Sequence, residues 1–338
     1  MPALRDDIDP DGLLEYSVVF SDRSLNSMSD AFGQVMRDIS RIMKTAYGAA
    51  SVAVVPGGGT YGMEAIARQF TTDANVLVIR NGWFSFRWSQ IIEAGRLATS
   101  TTVLAARQLE DTSDAPFAPV PLDEIIAAIR SEKPDVVCCP HVETSAGLMV
   151  PDSFISAVAD AVHEHGGLFV LDCVASGTVF VNLEKTGVDV LLTAPQKGWS
   201  ASPCAALVMM SPHGRARLDD TTSSSFANDL KKWTQIMENY EGGAHAYHAT
   251  MPTDALRRFR DALVEAEAFG LEALKEAQIR LGREVRELMD SSQYKSVAAT
   301  GFEAPSVVVC FAPNADIKTG KAFAAQGLQI PRVGWVGM

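Results

Sequence analysis

Between Ala50 and Met210 short apolar runs alternate with amphipathic segments, and this alternation limits the chain to one class of fold. The runs are SVAVV (51–55), NVLVI (75–79), TTVLAA (101–106), DVVCC (135–139), LFVLD (168–172), VDVLLT (188–193) and AALVMM (205–210). Segments with helical spacing lie between several of them. One starts at Thr60, one surrounds Trp88–Ala94, and two more read LDEIIAAIRSEKP (122–134) and PDSFISAVADAVHEHGG (151–167). Several strands are apolar throughout instead of alternating, which is the mark of strands covered on both faces. An α/β fold with a mostly parallel sheet between helices is therefore expected.

Beyond Pro212 the texture changes. DDTTSSSFANDLKKW (219–233) reads as a loop leading into a helix. Residues 253–292 lack proline and carry charges at i, i+4 spacing, so a long helix is expected there, with Pro252-Thr253-Asp254 as its cap. SVVVCFAP (306–313) reads as a strand and GKAFAAQG (320–327) as a helix. The predicted division is an N-terminal segment (1–40), a large α/β domain (41–252), and a connecting helix with a small C-terminal domain (253–338).

Net charge is −12, which argues against nucleic acid or an anionic membrane as the main partner. No apolar run approaches the roughly 20 residues of a membrane span. The opening MPALRDDIDPDG resembles neither a secretory signal nor a basic presequence. The five cysteines (138, 139, 173, 204, 310) show no zinc spacing and read as small core residues of a cytoplasmic protein.

Ligands of open α/β sheets bind at the carboxyl ends of the strands. The unusual residues of this chain stand at those ends: GGGTYG (57–62), RNGWF (80–84), HVETS (141–145), DCVAS (172–176) and TAPQK (193–197). GGGTYG matches a dinucleotide fingerprint, but the next strand ends in Arg80-Asn81 and has no acid for a ribose. What remains is a glycine turn able to cradle one phosphate through backbone N–H groups and the Thr60 hydroxyl, or a plain strand-to-helix turn. Asp172 closes an apolar strand, where a carboxylate is costly unless paired. It can cap the next helix, hold a metal, or face a buried cation, and no His, Asp or Glu nearby in sequence favours the metal. Lys197 ends another strand between Pro195 and Trp199. It either snorkels to solvent or is desolvated, as a Schiff-base lysine needs. Phosphate cradle, strand-end carboxylate and desolvated lysine together are the three anchors of pyridoxal 5′-phosphate. Trp83, Phe84 and Phe86 offer aromatics to stack on its ring.

These stretches, with AYHATMP (246–252) and PRVGWVG (331–337), resemble the class V, fold-type I pyridoxal-phosphate aminotransferases, on the branch of the alanine–glyoxylate, serine–glyoxylate and 2-aminoethylphosphonate transaminases. The resemblance implies that Lys197 holds the cofactor as an imine and shuttles a proton, and that Asp172 bonds the pyridinium N–H. It implies Phe84 on the ring, with Trp83 adjacent and competing, and Thr144 at the ring oxygen. Gly58, Gly59, Thr60 and Gln196 fall at phosphate contacts. Tyr247 and Thr250 match residues that reach the phosphate from the other subunit of a homodimer, and Arg332 matches the arginine that grips the substrate carboxylate. His141 and Glu143 read as structural supports of the HVETS turn. Tyr61 and His248 adjoin implied contacts, while Arg80 and Arg87 read as structural. No resident metal is implied.

The function that follows is transfer of an amino group from a small amino acid, of alanine or serine type, to a 2-oxo acid such as glyoxylate or pyruvate, with ping-pong kinetics. The alternatives are a 2-aminoethylphosphonate–pyruvate transaminase and a cysteine desulfurase or lyase on the same fold. Two departures from the family stand out. The glycine-proline segment expected near the start is absent from EYSVVFSDRSLNSMS (15–29), and few residues separate Ile330 from Arg332.

Overall fold

The structure, a computed structural model, describes residues 14–16 and 20–328, with side chains from Leu25 onward. Its main sheet has seven strands: β1 (Ser51–Pro56), β2 (Asn75–Arg80), β3 (Ser100–Ala105), β4 (Val136–Pro140), β5 (Leu168–Asp172), β6 (Val190–Thr193) and β7 (Ala205–Met210). They lie in the order β1-β7-β6-β5-β4-β2-β3. Neighbours are parallel, except that β7 runs antiparallel to both β1 and β6. Every residue of β4, β5, β6 and β7 is buried, so both faces are covered, as the unbroken apolar runs require. The expected α/β architecture is present, and all seven runs are strands.

The longer helices are α1 (Asp30–Tyr47), α2 (Gly59–Phe70), α3 (Trp83–Gly95), α4 (Leu122–Glu132), α5 (Asp152–His163), α6 (Pro212–Asp219), α7 (Leu230–Glu241), α8 (Thr253–Phe269) and α9 (Leu271–Ser291). Ser29 caps α1 by accepting the Phe32 N–H, and Gly48 ends it in the left-handed conformation (φ 61°). This helix runs unbroken through residue 40 and packs on α7 and α8. Helix α2 lies on β6 and β7, and α5 on β5.

Two expectations in the C-terminal part fail. The long helix over 253–292 is two helices, because Gly270 at φ 103° ends α8 and turns the chain before α9. Residues 306–313 form no strand. Their contacts are an isolated bridge between Ser296 and Cys310 and a few backbone bonds to residues 295–297, too short a partner for a ladder. This segment seals a small second cluster of Ala146, Leu148, Val297 and Ala298 against the main body. Residues 321–324 make one helical turn.

Candidate active site

Three strand ends supply the residues singled out as cofactor anchors. Strand β1 ends at Pro56, and Gly57 N–H donates to Cys204 O just before β7 (2.9 Å). Gly58 then caps α2 without a side chain, which leaves the first N–H groups of the helix pointing outward. Gly59 has no room for more: a Cβ there would stand 2.9 Å from Val174 Cγ2. The helix start is thus pressed onto the loop that follows Asp172. Thr60, exposed, accepts a hydrogen bond from Arg87 Nη1 (3.1 Å).

Asp172 ends β5, level with Leu192 of β6 and Pro140 of β4. It is 8% exposed, and Oδ1 accepts the Val174 N–H (2.9 Å). Burial pushes its pKa up to about 6. The Val174 N–H opposes that rise, the Glu143 charge adds to it, and Arg87 and Lys197 oppose it. Such a carboxylate is short of cation, and a protonated ring nitrogen would supply one.

Lys197 is not desolvated in this chain. It is exposed, while Pro195 and Trp199 on either side are buried. The turn from Ala194, closed by Lys197 N–H to Ala194 O (3.2 Å), puts the neighbours inside and the lysine outside. The turn itself is fixed. A Cβ on Gly198 would stand 2.1 Å from Gly177 O, so the lysine's loop and the loop after Asp172 meet backbone to backbone. Gln196 Oε1 is buried without a partner, and a Cβ on Gly58 would lie 3.9 Å from Gln196 Nε2. A buried amide with an unused atom beside a capless helix start is what a phosphate site needs, since turning the amide offers its NH2 to the anion.

Glu143 organises the opposite wall. It is fully buried. Oε1 accepts from Phe84 N–H (3.1 Å), Ser145 N–H (3.1 Å) and Ser145 Oγ (2.7 Å). Oε2 accepts from Ser85 N–H (2.9 Å) and Ser85 Oγ (2.7 Å). An acid from the HVETS turn therefore caps α3, a favourable place for negative charge. Trp83 N–H adds a bond to Ser145 Oγ (2.9 Å). A Cβ on Gly82 would stand 2.3 Å from Ser145 Oγ, so only glycine fits between the two segments. Phe84 and Thr144, both half-buried, are carried on this unit.

His141 is buried, with Nδ1 2.7 Å from Ser176 Oγ. Burial pushes its pKa down to about 3, helped by the Lys275 charge, so it stays neutral and ties the HVETS turn to the Asp172 loop. Arg87 was set aside at the level of sequence as structural, yet its guanidinium lies over the Phe84 ring (5.3 Å) as well as on Thr60. The i, i+3 spacing of Phe84 and Arg87 on a helix was the available signal.

Other expected residues are not brought together here. Tyr247 is 77% exposed and Thr250 is exposed. His248 bonds Phe226 O (2.8 Å). Arg332 lies outside the described residues. A cavity of about 590 Å³ under α9 touches the site only at Thr144 and Ser145 and is otherwise mostly aliphatic. Cys138, Cys139, Cys173 and Cys204 are buried, and burial raises all four thiol pKa values, which makes them poor nucleophiles.

No protein-family model matches the chain. Alanine–glyoxylate aminotransferase 1 of Saccharomyces cerevisiae is 29% identical over 257 residues, covering 71% of this chain and 62% of the relative. Relatives named L-aspartate–glyoxylate aminotransferase and 2-aminoethylphosphonate–pyruvate transaminase match as well. The chain is similar in sequence to class V aminotransferases and shares the fold-type I architecture of their solved relatives. One relative in this group bears a different name: the soluble hydrogenase small subunit of a Synechococcus strain is 26% identical over 82% of this chain and 70% of its own length. Among solved structures, an alanine–glyoxylate aminotransferase from Nostoc sp. superposes with a TM-score of 0.74 at 23% identity, covering 89% of this chain and 76% of that one. The fold-type I architecture thus covers 89% of this chain, while the chain spans 62% of the yeast relative's length.

Proposed function

We propose that the chain is a pyridoxal-phosphate-dependent aminotransferase that moves an amino group from a small amino acid, of alanine or serine type, to a 2-oxo acid such as glyoxylate or pyruvate. The observation that carries this reading is the buried, cation-poor Asp172, one loop away from Lys197 and from a helix start with free N–H groups. Pyridoxal phosphate, when bound, supplies an electron sink for the carbanion left by loss of the substrate Cα proton.

The chain's own residues do the rest. Gly58, Gly59 and Thr60 offer N–H and hydroxyl groups to the phosphate, with Gln196 turning its amide toward it and Arg87 holding Thr60. Asp172 keeps the ring nitrogen protonated. Phe84, stiffened by the Glu143 cap beneath it, would stack on the ring, and Thr144 would bond the ring oxygen. Lys197 Nζ would hold the cofactor aldehyde and serve as the base that takes the proton from substrate Cα. Its exposure suits a group that must meet incoming substrate. Arg332 holds the substrate carboxylate. The exposure of Tyr247 and Thr250 supports reading them as contacts to the site of a second copy in a homodimer with shared sites, and the transfer is expected to run with ping-pong kinetics.

A second reading, a 2-aminoethylphosphonate–pyruvate transaminase, is favoured by one observation. Arg87 places a cation beside Thr60 and Phe84, and a phosphonate substrate needs a cation of this kind near the pocket. Four buried thiols, and a half-buried Cys310 whose pKa burial also raises, disfavour a desulfurase, which needs an accessible thiolate.

The test is the visible spectrum of the purified protein before and after borohydride, with a peptide map. A yellow band lost on reduction, and a pyridoxyl group on Lys197, is the expected result. A panel of alanine, serine, aspartate and 2-aminoethylphosphonate then separates the donors by loss of that band. A protein that takes up no pyridoxal phosphate refutes the proposal.

A further inference from the structure

At the opposite end of the sheet three residues far apart in sequence converge. His163 is the last residue of α5, Asp189 immediately precedes β6, and His213 is the second residue of α6. His163 Nε2 lies 2.9 Å from Asp189 Oδ2, and His213 Nδ1 lies 3.0 Å from Asp189 Oδ1. The two rings stand edge to face with centroids 5.6 Å apart. Donor atoms of all three residues lie within 4.8 Å of one another. The cluster is about 13 Å of strand away from the Lys197 end of β6, at roughly 3.3 Å per residue, and the proposed transaminase chemistry makes no use of it.

We propose that His163, Asp189 and His213 form a binding site for a divalent transition metal of the zinc class. Four features support it. Two imidazoles and one carboxylate form a donor set that suits zinc, cobalt or nickel better than magnesium or calcium. The spacing suits shared ligation, since all three donor atoms lie within 4.8 Å of one another and ligands of a tetrahedral zinc stand roughly 3.3 Å apart. The carboxylate is already positioned. Its side chain is 2% exposed, Phe169 N–H donates to Oδ2 (2.8 Å), and Ser211 Oγ lies 3.3 Å from Oδ1. Backbone bonds from Asp189 N–H to Phe169 O (3.0 Å) and from Ser211 N–H to Asp189 O (2.9 Å) prevent it from swinging away. Such support orients a ligand and strengthens a site. Finally, the histidine side chains are 36% and 49% exposed, so the metal has an entry path and a fourth position open to water. Bound there, the ion clamps α5, α6 and the start of β6 together, a structural role.

The test uses the full chain, stripped with a chelator and titrated with zinc and with cobalt. His163→Gln and His213→Asn place an amide nitrogen where each ring nitrogen now donates to Asp189, so the hydrogen bonds survive and the ligation does not. The wild type is expected to take up one equivalent, with cobalt giving the visible bands of a tetrahedral site and zinc raising the melting temperature. The double variant should keep the metal-free melting temperature and lose more than about 100-fold in zinc affinity. Absence of stoichiometric binding in the wild type, or equal affinity in the double variant, overturns the proposal. The chain's other four histidines are unchanged in both proteins, so they serve as the internal control.

Discussion

Asp172→Asn isolates the charge that the fold holds ready for a cation. The folded pKa of about 6 lies above the unfolded 3.8, so between these values the folded chain binds the proton more tightly. The stability this gives is complete below pH 3.8 and lost as pH rises through about 6. At about 1.4 kcal/mol per unit, the cofactor-free protein gives up about 3 kcal/mol on passing that window. Asparagine is a permanent stand-in for the neutral acid, and its Oδ1 can still accept the Val174 N–H. The cofactor-free variant should therefore match the wild type at about pH 4 and exceed it by about 3 kcal/mol at about pH 8. Urea unfolding of both proteins at the two pH values measures this, and taking the difference cancels the titration of His141. Added pyridoxal phosphate should reverse the order at the higher pH, because only the carboxylate pairs with a ring N–H. Equal stabilities at about pH 8, or the same gain at both pH values, would refute the argument that burial dominates at this carboxylate.

Glu143→Ala strips acceptors from three backbone N–H groups and two hydroxyls, and should cost about 3–5 kcal/mol in urea unfolding. His141→Asn keeps a nitrogen facing Ser176 and removes the titration. Because the folded pKa of His141 is depressed to about 3, the wild type loses stability as pH falls below 6.5 toward 3, and the variant should show a flatter acid limb in pH-dependent unfolding. Gly198→Ala forces a methyl against Gly177 O, and a fluorescence titration should show weakened pyridoxal-phosphate uptake even where the variant folds. Lys197→Ala should show no borohydride-trappable adduct in the peptide map while keeping the thermal stability of the cofactor-free chain.

The sheet was legible because strands covered on both faces must be apolar throughout, as the runs that became β4, β5, β6 and β7 are. Strand-end positions were legible for the same reason, since each run stops at a polar residue or a proline. What the sequence hid depends on contacts between distant residues. The burial of Pro195 and Trp199 forces Lys197 outward, a matter of turn geometry that residue types do not reveal. The service of Glu143 to α3 joins residues 58 and 59 apart. The meeting of His163, Asp189 and His213 joins three elements, so a search for ligand spacing along the chain passes over it. The missing strand at 306–313 shows the converse: an apolar run is a strand only where a neighbour offers it a ladder.

The contact between Gly198 and Gly177 bears on how such a chain can change. Where two loops touch through main chain alone, no side chain lies between them to be enlarged or trimmed. The spacing of the lysine's loop from the carboxylate's loop is therefore set by a backbone-to-backbone contact that side-chain substitutions nearby do not enter. Pocket walls can drift, and with them the choice of amino donor, while that spacing stays constant. A designer wishing to retune this scaffold has almost no freedom at these two glycines, although neither offers a side chain to the site.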